Sequence, residues 1–91
     1  MFLNFQTVAD IRNEIRIALV AIGRPATAME IAAAIWFGGS IDGTRSAVYL
    51  LVNKEVLQMA SDGDIERVPP PAHAANMSYF RAGALDRLAG I

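Results

Sequence analysis

Few side chains in this chain can do chemistry, and their spacing limits them further. His73 is the single histidine, set in a proline-alanine stretch with no carboxylate or hydroxyl close to it in sequence. A general base needs an orienting partner within hydrogen-bond reach, so a solvated loop histidine is the better reading. One His without any Cys cannot assemble a zinc site of the usual kind. Asp62, Asp64 and Glu66 alternate in a small acidic cluster, but the ligand spacing of a calcium loop and its terminal Glu are missing, which leaves a solvated turn. Gly38, Gly39 and Gly43 lack both the glycine-lysine-hydroxyl ending and the preceding strand of a phosphate loop. The residues predict no catalytic group, no metal and no cofactor. An enzyme is not expected.

What remains is a surface that binds something, and composition bounds it. Ninety-one residues, 54% of them hydrophobic and 19% charged, make one domain spanning residues 1–91. Eight basic and nine acidic side chains give a net charge of -1, so bulk charge does not drive binding to nucleic acid. The absence of cysteine removes disulfides and thiolate chemistry and fits a reducing, cytoplasmic setting. The longest apolar runs, Ile17 to Ile22 and Ile31 to Phe37, fall far short of the roughly 20 residues that span a bilayer. Early charges at Asp10 and Glu14 argue against a secretion signal, although Ala26-Thr27-Ala28 imitates a cleavage site.

The elements that would present this surface follow from periodicity and caps. Thr7 and Asp10 open a first helix, along which Ile11, Ile15, Ala18, Leu19 and Ile22 form one face. Gly23 and Pro25 stop it. Thr27-Ala28-Met29-Glu30 is a complete capping box for a second helix, with Ile31, Ala34 and Ile35 as its buried stripe and Gly38-Gly39 as its break. A third helix is expected from about Thr44 to Ala60, capped by Asp42 or Thr44. Val48, Leu51, Val52, Val56 and Met59 are its inward face, and Gly63 supplies a left-handed stop. Beyond Gly63 the period shortens to that of a strand at Ile65 to Val68, and Pro69 to Asn76 is an extended loop. Met77 to Arg81 gives a second strand. The tail 83–91 is a short tail or helix, docked through Leu85 and Leu88.

The stretch Thr27-Ala28-Met29-Glu30-Ile31-Ala32 resembles the T-x-x-E-I-A start of the second helix in winged helix-turn-helix domains. Val52, Val56 and Met59 followed by Gly63, Ile65 and Val68 are similar to the third helix and first wing strand of those domains. The resemblance covers roughly Ile11 to Arg81. It implies a mainly α (α+β) fold: three helices and a two-stranded β-wing. It also implies a small prokaryotic or phage transcription regulator that reads duplex DNA with helix three. Two departures stand out: a long, glycine-rich connection between helices two and three, and an extra helical turn from Thr44 to Leu51.

At about 100° per residue, Ser46, Ala47, Leu50, Asn53, Lys54 and Leu57 lie opposite the core side of helix three, with Arg45 and Tyr49 beside them. In the DNA reading, Arg45 meets guanine or phosphate and Asn53 an adenine edge. Thr44, Ser46, Tyr49 and Lys54 then hold the backbone, with Arg67 and Arg81 reaching it from the wing. Leu50 and Leu57, one heptad apart, suggest instead a protein partner, for an inhibitor or assembly module that does not bind DNA. A roll of helix three that buries one of them is the plain alternative. Residues 1–6 form an apolar arm whose Phe2, Leu3 and Phe5 suit a homodimer contact or packing on their own domain.

Overall fold

The computed structural model describes residues 8–39, 41 and 43–90. The apolar arm with Phe2, Leu3 and Phe5, the Thr7 cap and the Asp42 cap therefore lie outside the described residues. Helix α1 spans Val8–Ile22, α2 Ala28–Gly38 and α3 Arg45–Asp62. An antiparallel hairpin follows, β1 Ile65–Val68 with β2 Tyr79–Ala82, and then a short helix α4, Ala84–Ala89. The fold is mainly helical with one two-stranded sheet, as expected.

Local chemistry explains where the helices begin and end. The Thr27 hydroxyl accepts the Glu30 amide at 3.2 Å while the Glu30 carboxylate accepts the Thr27 amide at 3.0 Å, satisfying two otherwise orphaned donors. Gly39 closes α2 at φ 72°, a left-handed conformation that costs glycine nothing sterically. Thr44 caps α3 by accepting the Ala47 amide at 3.1 Å, and Gly63 ends it at φ 88°. The long connection between α2 and α3 is held at two points. Ile41 is buried, and the Trp36 indole donates to the Gly43 carbonyl at 3.2 Å.

The core gathers the predicted stripes. Ile11, Ile15 and Leu19 of α1, Ile31 and Ile35 of α2, and Val48, Val52, Val56 and Met59 of α3 are all buried. Leu51 and Ile22 are partly buried at the margin. One position of α2 is corrected: Ala34 is exposed, and Ala28 and Ala32 are buried in its stead. Residues 28, 31, 32 and 35 form an unbroken helical stripe, and position 34 lies some 200° away from 32 around the axis.

The hairpin pairs Ile65 with Ala82, Glu66 with Arg81, Arg67 with Phe80 and Val68 with Tyr79. The second strand begins later than Met77, which stays outside it. The loop before it holds a single 3-10 turn at Ala72–Ala74. Phe80, fully buried, also exchanges two backbone hydrogen bonds of 2.8 Å with Ala26, so the segment before α2 flanks β2 on its other edge. This bridge ties the hairpin to the helical body.

The tail is a helix, but Leu85 and Leu88 do not dock it, being 81% and 85% exposed. Docking falls to Asp86, only 5% exposed, whose carboxylate takes both arms of the Arg16 guanidinium at 2.7 and 2.8 Å. A planar fork satisfies both carboxylate oxygens at once, whereas both leucines stay largely in solvent. A second ion cluster ties α1 to the end of α3. Arg12 donates to the buried Glu55 at 2.7 Å, to Asp62 at 2.9 Å and to Asp64 at 3.1 Å. Among the described residues, no helix is long and apolar enough to cross a membrane.

Candidate functional site

The outward face of α3 is turned as the helical wheel requires. Ser46, Ala47, Leu50, Lys54 and Leu57 are exposed, with Tyr49 and Asn53 half-buried at the edge. Leu50 is 67% and Leu57 47% exposed, so the helix has not rolled either leucine into the core. Val48, Val52, Val56 and Met59 fill the opposite side and fix the rotation. Thr44 contributes mainly as the cap, which sets Arg45 at the first helical position with its side chain exposed.

Ion pairing sorts the cations. Arg12, Arg16, Arg24, Arg81 and Arg87 all engage carboxylates. Among the described residues, Arg45, Lys54 and Arg67 are the cations without an acidic partner. Arg67 donates instead to the Ser78 hydroxyl at 2.6 Å. The overall charge of -1 is therefore an average over two unlike surfaces. Among the described residues, cations around α1, α4 and the far side of the hairpin are neutralised, while those on α3 and β1 are not.

Arg81 belongs to the first group. It lies opposite Glu66 in the ladder, and both its Nε and Nη2 reach Glu66 Oε1 at 2.7 Å. Arg87 shares the same oxygen at 3.2 Å. Arg81 first, then Arg87, hold the Glu66 carboxyl below the usual carboxylate range. The structure thus separates Arg81 from Arg67, which sequence reasoning had grouped with it.

Two shallow concavities run along the α3 face. One, about 350 Å³, lies between α2 and α3 among Met29, Ala33, Arg45, Ser46, Tyr49 and Leu50. The other, about 260 Å³, continues towards the hairpin past Asn53, Leu57, Met77 and Ser78. Met29 and Tyr49 line both, so the two make one groove. Sequence reasoning missed Met29, Met77 and Ser78. The wheel of α2 could have found Met29, which falls off the buried stripe. Met77 and Ser78 come from a loop whose path no periodicity specifies.

The acidic cluster is built differently from a solvated turn. Asp62 and Asp64 both accept from Arg12, and Glu66 accepts from two arginines. Gln58, then Arg12, hold the Asp62 carboxyl below its ordinary value. His73 is exposed on the 3-10 turn. No group of three or more His, Cys, Asp or Glu side chains converges on a metal-sized site among the described residues. Compared with known proteins, the chain matches no family model, no curated protein and no solved structure.

Proposed function

We propose that this is a winged helix-turn-helix DNA-binding regulator, of a prokaryotic or phage-infected cytoplasm, whose α3 enters the major groove of duplex DNA. The observation that carries this reading is the segregation of charge. The three cations without acidic partners among the described residues, Arg45, Lys54 and Arg67, stand on α3 and the adjoining hairpin. Arg45 at the start of α3 carries a planar fork suited to guanine O6 and N7. Asn53 faces an adenine edge, and Ser46, Tyr49 and Lys54 position the backbone. Arg67, anchored by Ser78, meets the flanking phosphate. Arg81 takes no part. A homodimer on two half-sites completes the proposal, since one protomer offers few contacts.

Selection from a random duplex library, then titration at two salt concentrations, tests it. With Lys54 and Arg67 on phosphates, log K should fall with log salt at a slope of about -2 per protomer. Arg45→Ala should cost about 1–3 kcal/mol and relax one base position. Lys54→Ala should weaken all sequences alike and reduce the slope by about one. Sedimentation at micromolar concentration checks the dimer. A library that enriches nothing, with no binding at low salt, excludes DNA.

A second reading is favoured by the groove itself. Met29, Leu50, Leu57 and Met77 are all substantially exposed and line it. Adaptable methionines beside leucines suit an apolar protein partner better than a phosphate backbone. In that case Leu50→Ser with Leu57→Ser abolishes complex formation while Arg45→Ala leaves it nearly intact.

A further inference from the structure

Away from the α3 face, a cleft of about 310 Å³ opens between the end of α1, β2 and α4. Leu19, Val20 and Pro25 give it an apolar wall, and Arg24, Arg81 and Arg87 contribute three guanidinium groups. Among the described residues, no acidic side chain lines it. The carboxylates that pair these arginines, Glu30 and Glu66, lie outside the lining. We propose that this cleft is a binding site for a small organic anion, a carboxylate or phosphate ester carried on an apolar body about the size of one aromatic ring.

The volume falls at the small end of the range for ligand pockets, and an apolar wall with a few convergent polar groups is their usual construction. The charge balance also favours an anion. Two carboxylates and about half a charge from the carbonyl end of α1 leave the three guanidiniums in excess. The hydrogen bonds show where a ligand would attach. Arg81 and Arg87 crowd onto one oxygen of Glu66, Arg81 at 2.7 Å and Arg87 at a longer 3.2 Å. Arg87 engages Glu66 and the Ala82 carbonyl through Nη1 alone, which leaves Nε and Nη2 to fork a second anion. Arg81 retains Nη1, and Arg24 retains Nε. The site does not depend on what α3 binds, since no α3 residue lines it.

Amide NMR titration of the full chain with benzoate, phenyl phosphate, inorganic phosphate and benzyl alcohol tests the assignment. Shifts should be confined to residues 19–25 and 81–87. Benzoate or phenyl phosphate should bind at least tenfold tighter than benzyl alcohol, and whichever is tighter names the head group. Arg87→Gln should remove most of that preference, and Arg87→Lys, which keeps charge but loses the fork, should fall between. Arg45→Ala should leave the titration unchanged. The wild-type comparison stands even if an Arg87 variant folds poorly. Equal binding of benzyl alcohol, inorganic phosphate as tight as phenyl phosphate, shifts centred on Arg45 and Lys54, or no shift at all would each overturn the proposal.

Discussion

Replacing Asp86 with Ala should loosen α4 from α1 without unfolding the domain. Among the described residues, α4 is tied to α1 by the Asp86–Arg16 fork, with contacts of 2.7 and 2.8 Å, and to the hairpin by Arg87, while Leu85 and Leu88 face solvent. A hydrogen bond to a charged group contributes about 1.5–3 kcal/mol. Arg16 is itself 40% exposed and regains water when its partner goes, so the pair is discounted to about 2 kcal/mol. That corresponds to roughly 30-fold in the docking equilibrium. A six-residue helix does not persist alone in water, so undocking and melting of α4 are one event. Hydrogen exchange reads it directly: protection at residues 87–90 should drop roughly 30-fold while core amides in α1, α2 and α3 keep theirs. Acid should do the same to the wild type. Arg16 holds the Asp86 carboxyl below its ordinary value. The contribution is therefore complete above the unfolded value of about 3.9 and is lost as pH falls through the lower folded value. In Asp86→Ala that acid transition should vanish. Equal loss of protection throughout the core, or an unchanged α4, would refute the account.

Gly83→Ala should destabilise the protein by about 1–3 kcal/mol in urea unfolding, because the new Cβ would stand 2.8 Å from the Asp64 carbonyl oxygen. Leu50→Ser with Leu57→Ser should change stability by no more than about 0.5 kcal/mol per site, which makes any loss of partner binding a surface effect. Thr44→Ala should cost about 1 kcal/mol in thermal melting through loss of the Ala47 amide contact. It should also weaken whatever Arg45 binds, since the cap sets the first turn.

The candidate site was half legible. Helical periodicity placed Ser46, Asn53 and Lys54 on one outward face with Arg45 beside it, and α3 keeps that rotation because Val52 and Val56 fill the other side. The groove beside them was not legible, because its second wall comes from Met29 on another helix and from Met77 and Ser78 in a loop. Arg67 and Arg81 look equivalent in sequence, on two short strands of the same hairpin. Their difference arises from register: Arg81 falls opposite Glu66, while Arg67 falls opposite Phe80 and reaches Ser78.

By itself the sequence determined what acts within one or two turns of chain. The Thr27–Glu30 box, the stop at Gly63 and the spacing of the apolar stripes rest on residues three or four apart, while the cap of α3 stayed open between Asp42 and Thr44. Such local patterns need no knowledge of the rest of the molecule. Tertiary structure decided which charges cancel and what anchors the ends. Arg16 meets Asp86 across 70 positions, Arg12 meets Glu55 across 43, and Ala26 pairs with Phe80 through backbone atoms that carry no residue identity. A guanidinium has the same local signature whether it faces water, a carboxylate or a partner. Only the folded chain brings the carboxylates to five of the arginines and leaves Arg45, Lys54 and Arg67 without one among the described residues.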